Sequence, residues 1–208
     1  MGGTTSYSYE VVPPTKELAA VNRRDAVQHP FLDDLYQWAN SLRFYEFGTQ
    51  LGKNVIAHIP QKVDFLKDKT DFKDYDYVVG IFCLGKNEIG DKFIQAIIDD
   101  RKEIGYEISE IGIKIPDDIM NMMPPESSEN LPQFLYVKES DLNSVTEQSD
   151  MSQEMFRCLS LLIQTNYSLL SGKPSCIIID DIGEGLDYQR SSAIIKFLLT
   201  KLILGLFN

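Results

Sequence analysis

A chain of 208 residues fits one ordinary domain, and 43% hydrophobic with 25% charged residues is a composition able to bury a core, which argues against disorder. A formal charge of −11 leaves no basic surface for nucleic acid, which would have to be met through a partner. The first twenty residues lack a basic stretch followed by an apolar core, and the longest apolar run, 194–207, is broken by Lys196 and Lys201, so no signal or membrane span is expected and the chain reads as cytoplasmic.

In chain order, residues 6–12 alternate like a strand and stop at Pro13-Pro14, and 15–28 read as a polar helix that ends before His29-Pro30. Residues 31–42 suggest an amphipathic helix with Leu32, Leu35 and Trp38 near one face, followed by a short strand over 44–47. The Lys- and Asp-rich segment 62–76 reads as a solvated connection. Ile89, Phe93 and Ile97, with Ile94 and Ile98 beside them, predict a helix over 87–103 that ends near Gly105. Residues 106–115 read as a strand around Gly112, 120–132 as a loop around Pro124-Pro125, 134–137 as a strand and 141–148 as a polar loop. Cys83, Cys158 and Cys176 stand among apolar residues at spacings that fit neither a zinc site nor a disulfide framework, and read as reduced core residues.

The last sixty residues follow an α/β pattern. Asp150 and Gln153 form a possible capping pair for a helix to about residue 170, with Phe156, Leu159, Leu162 and Ile163 as its buried stripe and Gly172 and Pro174 after it. Residues 176–179 form a continuous apolar run, the pattern of a central parallel strand covered on both faces, and Asp187 opens a final helix.

Asp180 and Asp181 stand where this strand ends, the edge at which open α/β sheets bind ligands. Adjacent carboxylates there can divide two tasks of nucleotide hydrolysis, Asp180 holding Mg²⁺ through water and Asp181 orienting the attacking water. The plainer alternative is a strand that ends in an acidic turn before a helix. Ser152 likewise reads either as a helix cap or as a hydroxyl offered to a phosphate at a helix N-terminus.

The run Asp180-Asp181-Ile182-Gly183-Glu184-Gly185-Leu186-Asp187 resembles the block from Walker B into the D-loop of ABC-superfamily ATPases, and Met151-Ser152-Gln153-Glu154-Met155 stands where their signature belongs. Together with 23–32 and 42–49, these segments make the chain similar to the AAA/ABC-like ATPases related to the OLD and SMC groups, which occur in bacterial anti-phage systems. The resemblance implies an α/β fold, part of a P-loop NTPase sheet flanked by helices with an additional helical/β lobe. It implies one incomplete ATPase domain over 1–208, with a mixed lobe to about 148 and the signature helix, Walker B strand and D-loop helix over 149–208. It implies ATP and Mg²⁺ as cofactors, Asp180 on the metal, Asp181 as catalytic acid, Ser152 and Gln153 meeting nucleotide in trans, and Glu184, Gly185, Leu186 and Asp187 at a dimer interface. The implied partner is a second copy or a complete ATPase subunit.

Several residues depart from that pattern. No phosphate loop G-x-x-x-x-G-K-[S/T] is expected: Gly52-Lys53-Asn54, Gly85-Lys86-Asn87 and Gly172-Lys173-Pro174 are each read as lacking the hydroxyl residue and the upstream glycine, and so as turns. Glu154 replaces a signature glycine and would repel a phosphate, Asp181 is one methylene shorter than the usual Glu, and Glu184 is a possible substitute for it. The strand carrying a switch histidine is expected beyond Asn208. The chain is therefore expected not to turn over ATP alone, and the competing expectation is a non-catalytic dimerisation module derived from an ATPase. His29, His58 and the Asp74-Tyr75-Asp76 run are lesser candidates, read as a hydrogen-bonding histidine, an ambiguous strand residue and a solvated loop.

Overall fold

The computed structural model describes residues 31–47, 51–54, 57–60, 77–115, 130–172 and 176–206. The expectations for 6–12, 15–28 and 62–76, with His29 and the Asp74–Asp76 run, lie outside the described residues. The chain divides into two compact units, Met1–Leu42 and Arg43–Asn208. In the first, helix α1 (Phe31–Ser41) forms where the amphipathic pattern places it, with Asp33 and Asp34 in its first turn complementing the positive end of the helix dipole. Its last turn is closed by Ser41 Oγ, which donates to the Trp38 carbonyl at 2.7 Å, while Leu35 and Trp38 of the expected apolar face are exposed.

Strand β1 (Leu42–Glu46) leads into the second unit, followed by β2 (Ala57–Pro60) and the helices α2 (Val78–Glu88) and α3 (Asp91–Ile104). The single helix expected over 87–103 is therefore two, because Gly90 takes φ +74° and both Ile89 and Gly90 turn their N–H groups back to the Gly85 carbonyl. α3 ends as its sequence suggests: Gly105 is left-handed, its N–H bonds the Lys102 carbonyl, and the Tyr106 N–H bonds that of Arg101.

Strand β3 (Ile108–Lys114) runs antiparallel to β4 (Asn130–Glu139), with Ile111 opposite Val137 and Gly112 opposite Tyr136. A Cβ at Gly112 would stand 2.6 Å from the Tyr136 hydroxyl, which explains the glycine that interrupts the alternation. The loop expected over 120–132 gives its last residues to β4, whose Asn130–Gln133 end pairs with β2 despite Pro132. The polar segment 141–148 contributes the short strand β5 (Thr146–Glu147), paired with β4 at Tyr136 and Val137.

Helix α4 (Gln153–Leu170) is capped by Ser152, whose Oγ accepts the Met155 N–H at 3.1 Å, so Ser152 rather than Asp150 starts it. Every residue from Met155 to Tyr167 is buried, because α4 divides two cores. Met155, Phe156, Leu159, Ile163 and Tyr167 pack with α2, α3, β3 and β4. Cys158, Leu161 and Leu162 pack with Tyr45, Phe47 and Leu51 near β1 and with Ile194 and Phe197 of α5 (Tyr188–Leu206). A nearly buried triad ties three helices: Lys201 meets Asp100 at 2.8 Å, and Asn166 donates to Asp100 and accepts from Lys201.

Strand β6 (Cys176–Asp180) pairs with β1 in a small parallel sheet, so the architecture is mixed α/β with separate parallel and antiparallel sheets. The expectation of a central strand covered on both faces is corrected here. Ile177 and Ile179 pack against the second core, but Ile178 is 49% exposed and Phe44 of β1 41%, since no described element covers the other face. Cys83 and Cys158 are core thiols as expected, their ionisation pushed up by burial to about 12 and about 11.

Candidate functional site

The two parallel strands end together: the Phe47 N–H bonds the Asp180 carbonyl at 3.0 Å, and Asp180 and Asp181 present exposed side chains at that edge. Asp181 then takes φ +53°, a left-handed conformation that Asp tolerates better than most residues because its short side chain can bond locally. This bend lets the Asp181 carbonyl accept the N–H groups of both Gly183 and Glu184, at 2.7 and 2.9 Å, and the Leu186 N–H closes on the Gly183 carbonyl. Leu186 packs toward the second core. Asp187 caps α5: its Oδ1 accepts the Arg190 N–H at 2.8 Å, and its Oδ2 pairs with the Arg190 guanidinium at 3.1 Å.

The start of α4 lies against this acidic turn. Arg157 is 5% exposed; its Nη1 donates to the Glu184 carbonyl at 3.3 Å and its Nη2 to Gln153 Oε1 at 3.4 Å. Glu154 reaches Gly185, where φ is +79° and an added Cβ would stand 3.0 Å from Glu154 Oε1. The carboxyl of Glu154 is held below its usual range by its own backbone N–H and by Ser152, against a smaller opposing effect of burial, with Arg157 and Lys53 adding to the depression. A second route joins the same elements. The Arg190 guanidinium lies 4.5 Å from the Tyr106 ring centre and that of Arg101 4.6 Å from it, and Arg101 Nη1 donates to the Met155 carbonyl at 3.0 Å. Arg101 is fully buried, its Nε and Nη2 have no hydrogen-bond partner among the described residues, and burial pulls its pKa down to about 10.

Of the residues singled out from sequence, Ser152 and Gln153 thus stand at the helix start that meets Glu184 and Gly185, while Asp180 and Asp181 begin the same turn and Leu186 and Asp187 end it. The hydroxyl of Ser152 is already engaged as a cap. Arg157 was missed, although a cation inside the apolar stripe of α4, four residues after Gln153, is the kind of signal that marks a specific partner.

Asp180 and Asp181 are exposed carboxylates, the oxygen-donor type that Mg²⁺ takes alongside water and phosphate oxygens. Among the described residues no group of three or more His, Cys, Asp and Glu gathers for a metal. The phosphate half of such a site has no counterpart there. Gly52-Lys53-Asn54 does form a turn, with Leu51 at φ +44° and Gly52 at +75°. Gly85-Lys86-Asn87 does not: it lies in α2, a correction to the turn expected there. Gly80 supplies the upstream glycine of the phosphate-loop spacing before Gly85, a correction to its expected absence, while Asn87 still stands in place of the hydroxyl residue. Both glycines serve packing, since a Cβ at Gly80 would collide with the Tyr77 ring and one at Gly85 with that of Phe93. From Ile81 onward, whose N–H bonds the Tyr77 carbonyl at 3.2 Å, the N–H groups of α2 are committed to i−4 carbonyls, so the stretch through Lys86 is helix and not the open loop that cradles phosphates. Gly172, at φ +66°, ends α4, and 173–174 lie outside the described residues. His58 is placed in β2 opposite Pro132. Comparisons with family models, curated proteins and solved structures gave no match to this chain.

Proposed function

We propose that this chain is the C-terminal-side portion of an ABC-type ATPase domain, acting in the cytosol and contributing signature, Walker B and D-loop elements to a site whose phosphate loop comes from another polypeptide or another part of the protein. In this reading Asp180 holds Mg²⁺ through water, Asp181 orients the attacking water, and Ser152 and Gln153 face nucleotide bound by a partner ATPase subunit. One observation supports it above the others: the Ser152-capped start of α4 and the Asp181–Asp187 turn, 27 residues apart at Arg157 and Glu184, meet at the end of a parallel strand pair. These are the two segments that the motif resemblance assigns to one nucleotide site. When bound, Mg²⁺ would supply charge neutralisation on the phosphates.

The test has two arms. Purified chain with ATP and Mg²⁺ is expected to show no turnover, and turnover abolished by Asp181→Asn would overturn the need for an external phosphate loop. Mixed with a phosphate-loop-bearing ABC-type ATPase, the chain is expected to associate in an ATP-dependent way more tightly as Glu154→Gly than as wild type, because a carboxylate about 4 Å from a phosphate costs roughly 4 kcal/mol at an effective dielectric of about 20. ATP-independent behaviour of both proteins would sink the composite site. A second reading, a non-catalytic dimerisation module descended from such an ATPase, draws on the exposed Ile195, Leu199, Leu202 and Ile203 along α5.

A further inference from the structure

We propose that Glu154 and Arg157 are positioning residues that latch the acidic turn to the first turn of α4, so that the two segments move as one body. The inference deepens the functional reading above, since such a latch would carry a contact at Ser152 to the backbone that orients Asp181. Its physical basis is independent of nucleotide.

The turn is tight but marginal by itself. It is held by three local backbone bonds, two of them to the single Asp181 carbonyl, and Asp181 occupies a conformation that costs a non-glycine residue free energy. Something outside the turn must over-determine it. Arg157 does so from one side, because a guanidinium desolvated to 5% exposure and bonded to the Glu184 carbonyl fixes the middle of the turn to α4. Glu154 does so from the other. Its side chain lies close against Gly185: a Cβ there would stand 3.0 Å from Oε1 and 3.1 Å from Cγ, so a larger residue at 185 would push Glu154 back by a few tenths of an ångström while helix start and turn keep this register. The Asp187, Arg190, Tyr106 and Arg101 series fastens the far end of the turn to the Met155 carbonyl of the same helix. Three contacts, at Glu184, Gly185 and Asp187, converge on one turn of α4 and leave the second half of the acidic segment little freedom of its own.

The experiment is amide hydrogen exchange by NMR on the full chain without nucleotide, read at Gly183 and Glu184, whose N–H groups bond the Asp181 carbonyl. Arg157→Gln is expected to speed exchange at these two amides about tenfold, as local opening without global unfolding does, leaving α2 and β3 unchanged. Arg157→Lys, which can still donate to Glu184, is expected to recover part of the protection. Because Arg157 is buried, a second pair of variants keeps the question open to refutation should Arg157→Gln fail to fold. Gly185→Ala is strained in any background, but its effect on exchange is expected to be smaller in Glu154→Ala, where the opposing side chain is gone. Equal effects of Gly185→Ala in both backgrounds, or unchanged exchange at Gly183 and Glu184 in Arg157→Gln, would overturn the latch. Failure of ATP-dependent association would leave this result standing, so the two proposals fail separately.

Discussion

The two cores that share α4 differ in how completely they are closed. On one side α2, α3 and the antiparallel strands surround Phe156, Leu159 and Ile163, all fully buried, together with Phe82 and Phe93. On the other, β1, β6 and α5 bury Tyr45, Phe47, Ile194 and Phe197, but leave Phe44, Ile178 and a row on α5 in solvent. The candidate site belongs to the open side. A sheet face and a helix face without cover among the described residues are what a two-layer α/β arrangement shows where a third layer is missing, since each apolar face needs an opposing element. The acidic turn therefore stands on the less closed side of the described fold, which is why its fastening to α4 matters.

Mutation can break this comparison directly. Leu159→Ala, in the closed core, is expected to cost about 3 kcal/mol of stability through lost burial and an unfilled cavity, whereas Ile178→Ala on the open sheet face should cost under about 0.5 kcal/mol. Chemical denaturation measures both. Similar losses would mean that Ile178 is covered after all, and the asymmetry between the two sides would be wrong.

A sharper form of the comparison concerns association. If the row Ile195, Leu199, Leu202 and Ile203 is a covered face in the working protein, the isolated chain should self-associate through it, and Leu199→Glu with Leu202→Glu should return it to a monomer. Both leucines are more than half exposed, so the double variant should unfold at nearly the wild-type temperature. Light scattering against concentration decides the matter. A wild-type chain that stays monomeric at high concentration would remove the support for a dimerisation module.

How much of this was legible beforehand depends on whether the signal was local. The helix over 153–170 and its Ser152 cap follow from hydrophobic period and cap chemistry, and α5 follows from Asp187; both are contained within one segment. Gly105 as a helix stop was legible for the same reason. The break at Gly90 was not, because Ile89, Phe93 and Ile97 keep a continuous period across it and only the backbone conformation reveals two helices. The same holds for Asn130–Pro132, read as the end of a loop around Pro124-Pro125, where pairing with β2, about seventy residues upstream in the chain, makes a strand. In the site, the acidic turn could be placed at a strand end from its apolar run, but the pairing of that strand with β1 alone could not. A cation at Arg157 inside an apolar stripe marks a partner, but which one it meets, the Glu184 carbonyl, is a long-range consequence of α4 crossing the turn, as is the Glu154 contact with Gly185.

The smallest effect expected is also the one that reads the latch most locally. The Glu154 carboxyl titrates below its usual 4.5 because its own backbone N–H and Ser152 bond the ionised form, with Arg157 and Lys53 adding attraction. A carboxyl whose pKa is lowered in the folded state stabilises that state fully above its unfolded value and loses the contribution as pH falls through the folded one. Wild type should therefore be more stable than Glu154→Gln at neutral pH, with a difference that shrinks once the pH drops below 4.5. Because the side chain is only partly shielded from solvent, the difference should sit near the low end of the roughly 0.3–1 kcal/mol typical of a charge at a helix N-terminus. Thermal melts across that range measure the total, and the Gly185 amide resonance measures the local event, since a Cβ at this residue would lie 3.0 Å from Oε1 of the titrating group. A Gly185 resonance that follows a midpoint below 4.5 places the ionised carboxylate against the turn, as the latch requires. A resonance that ignores the titration means that Glu154 points away from the turn, and the helix N-terminus is then open to an external anion without any change of sequence.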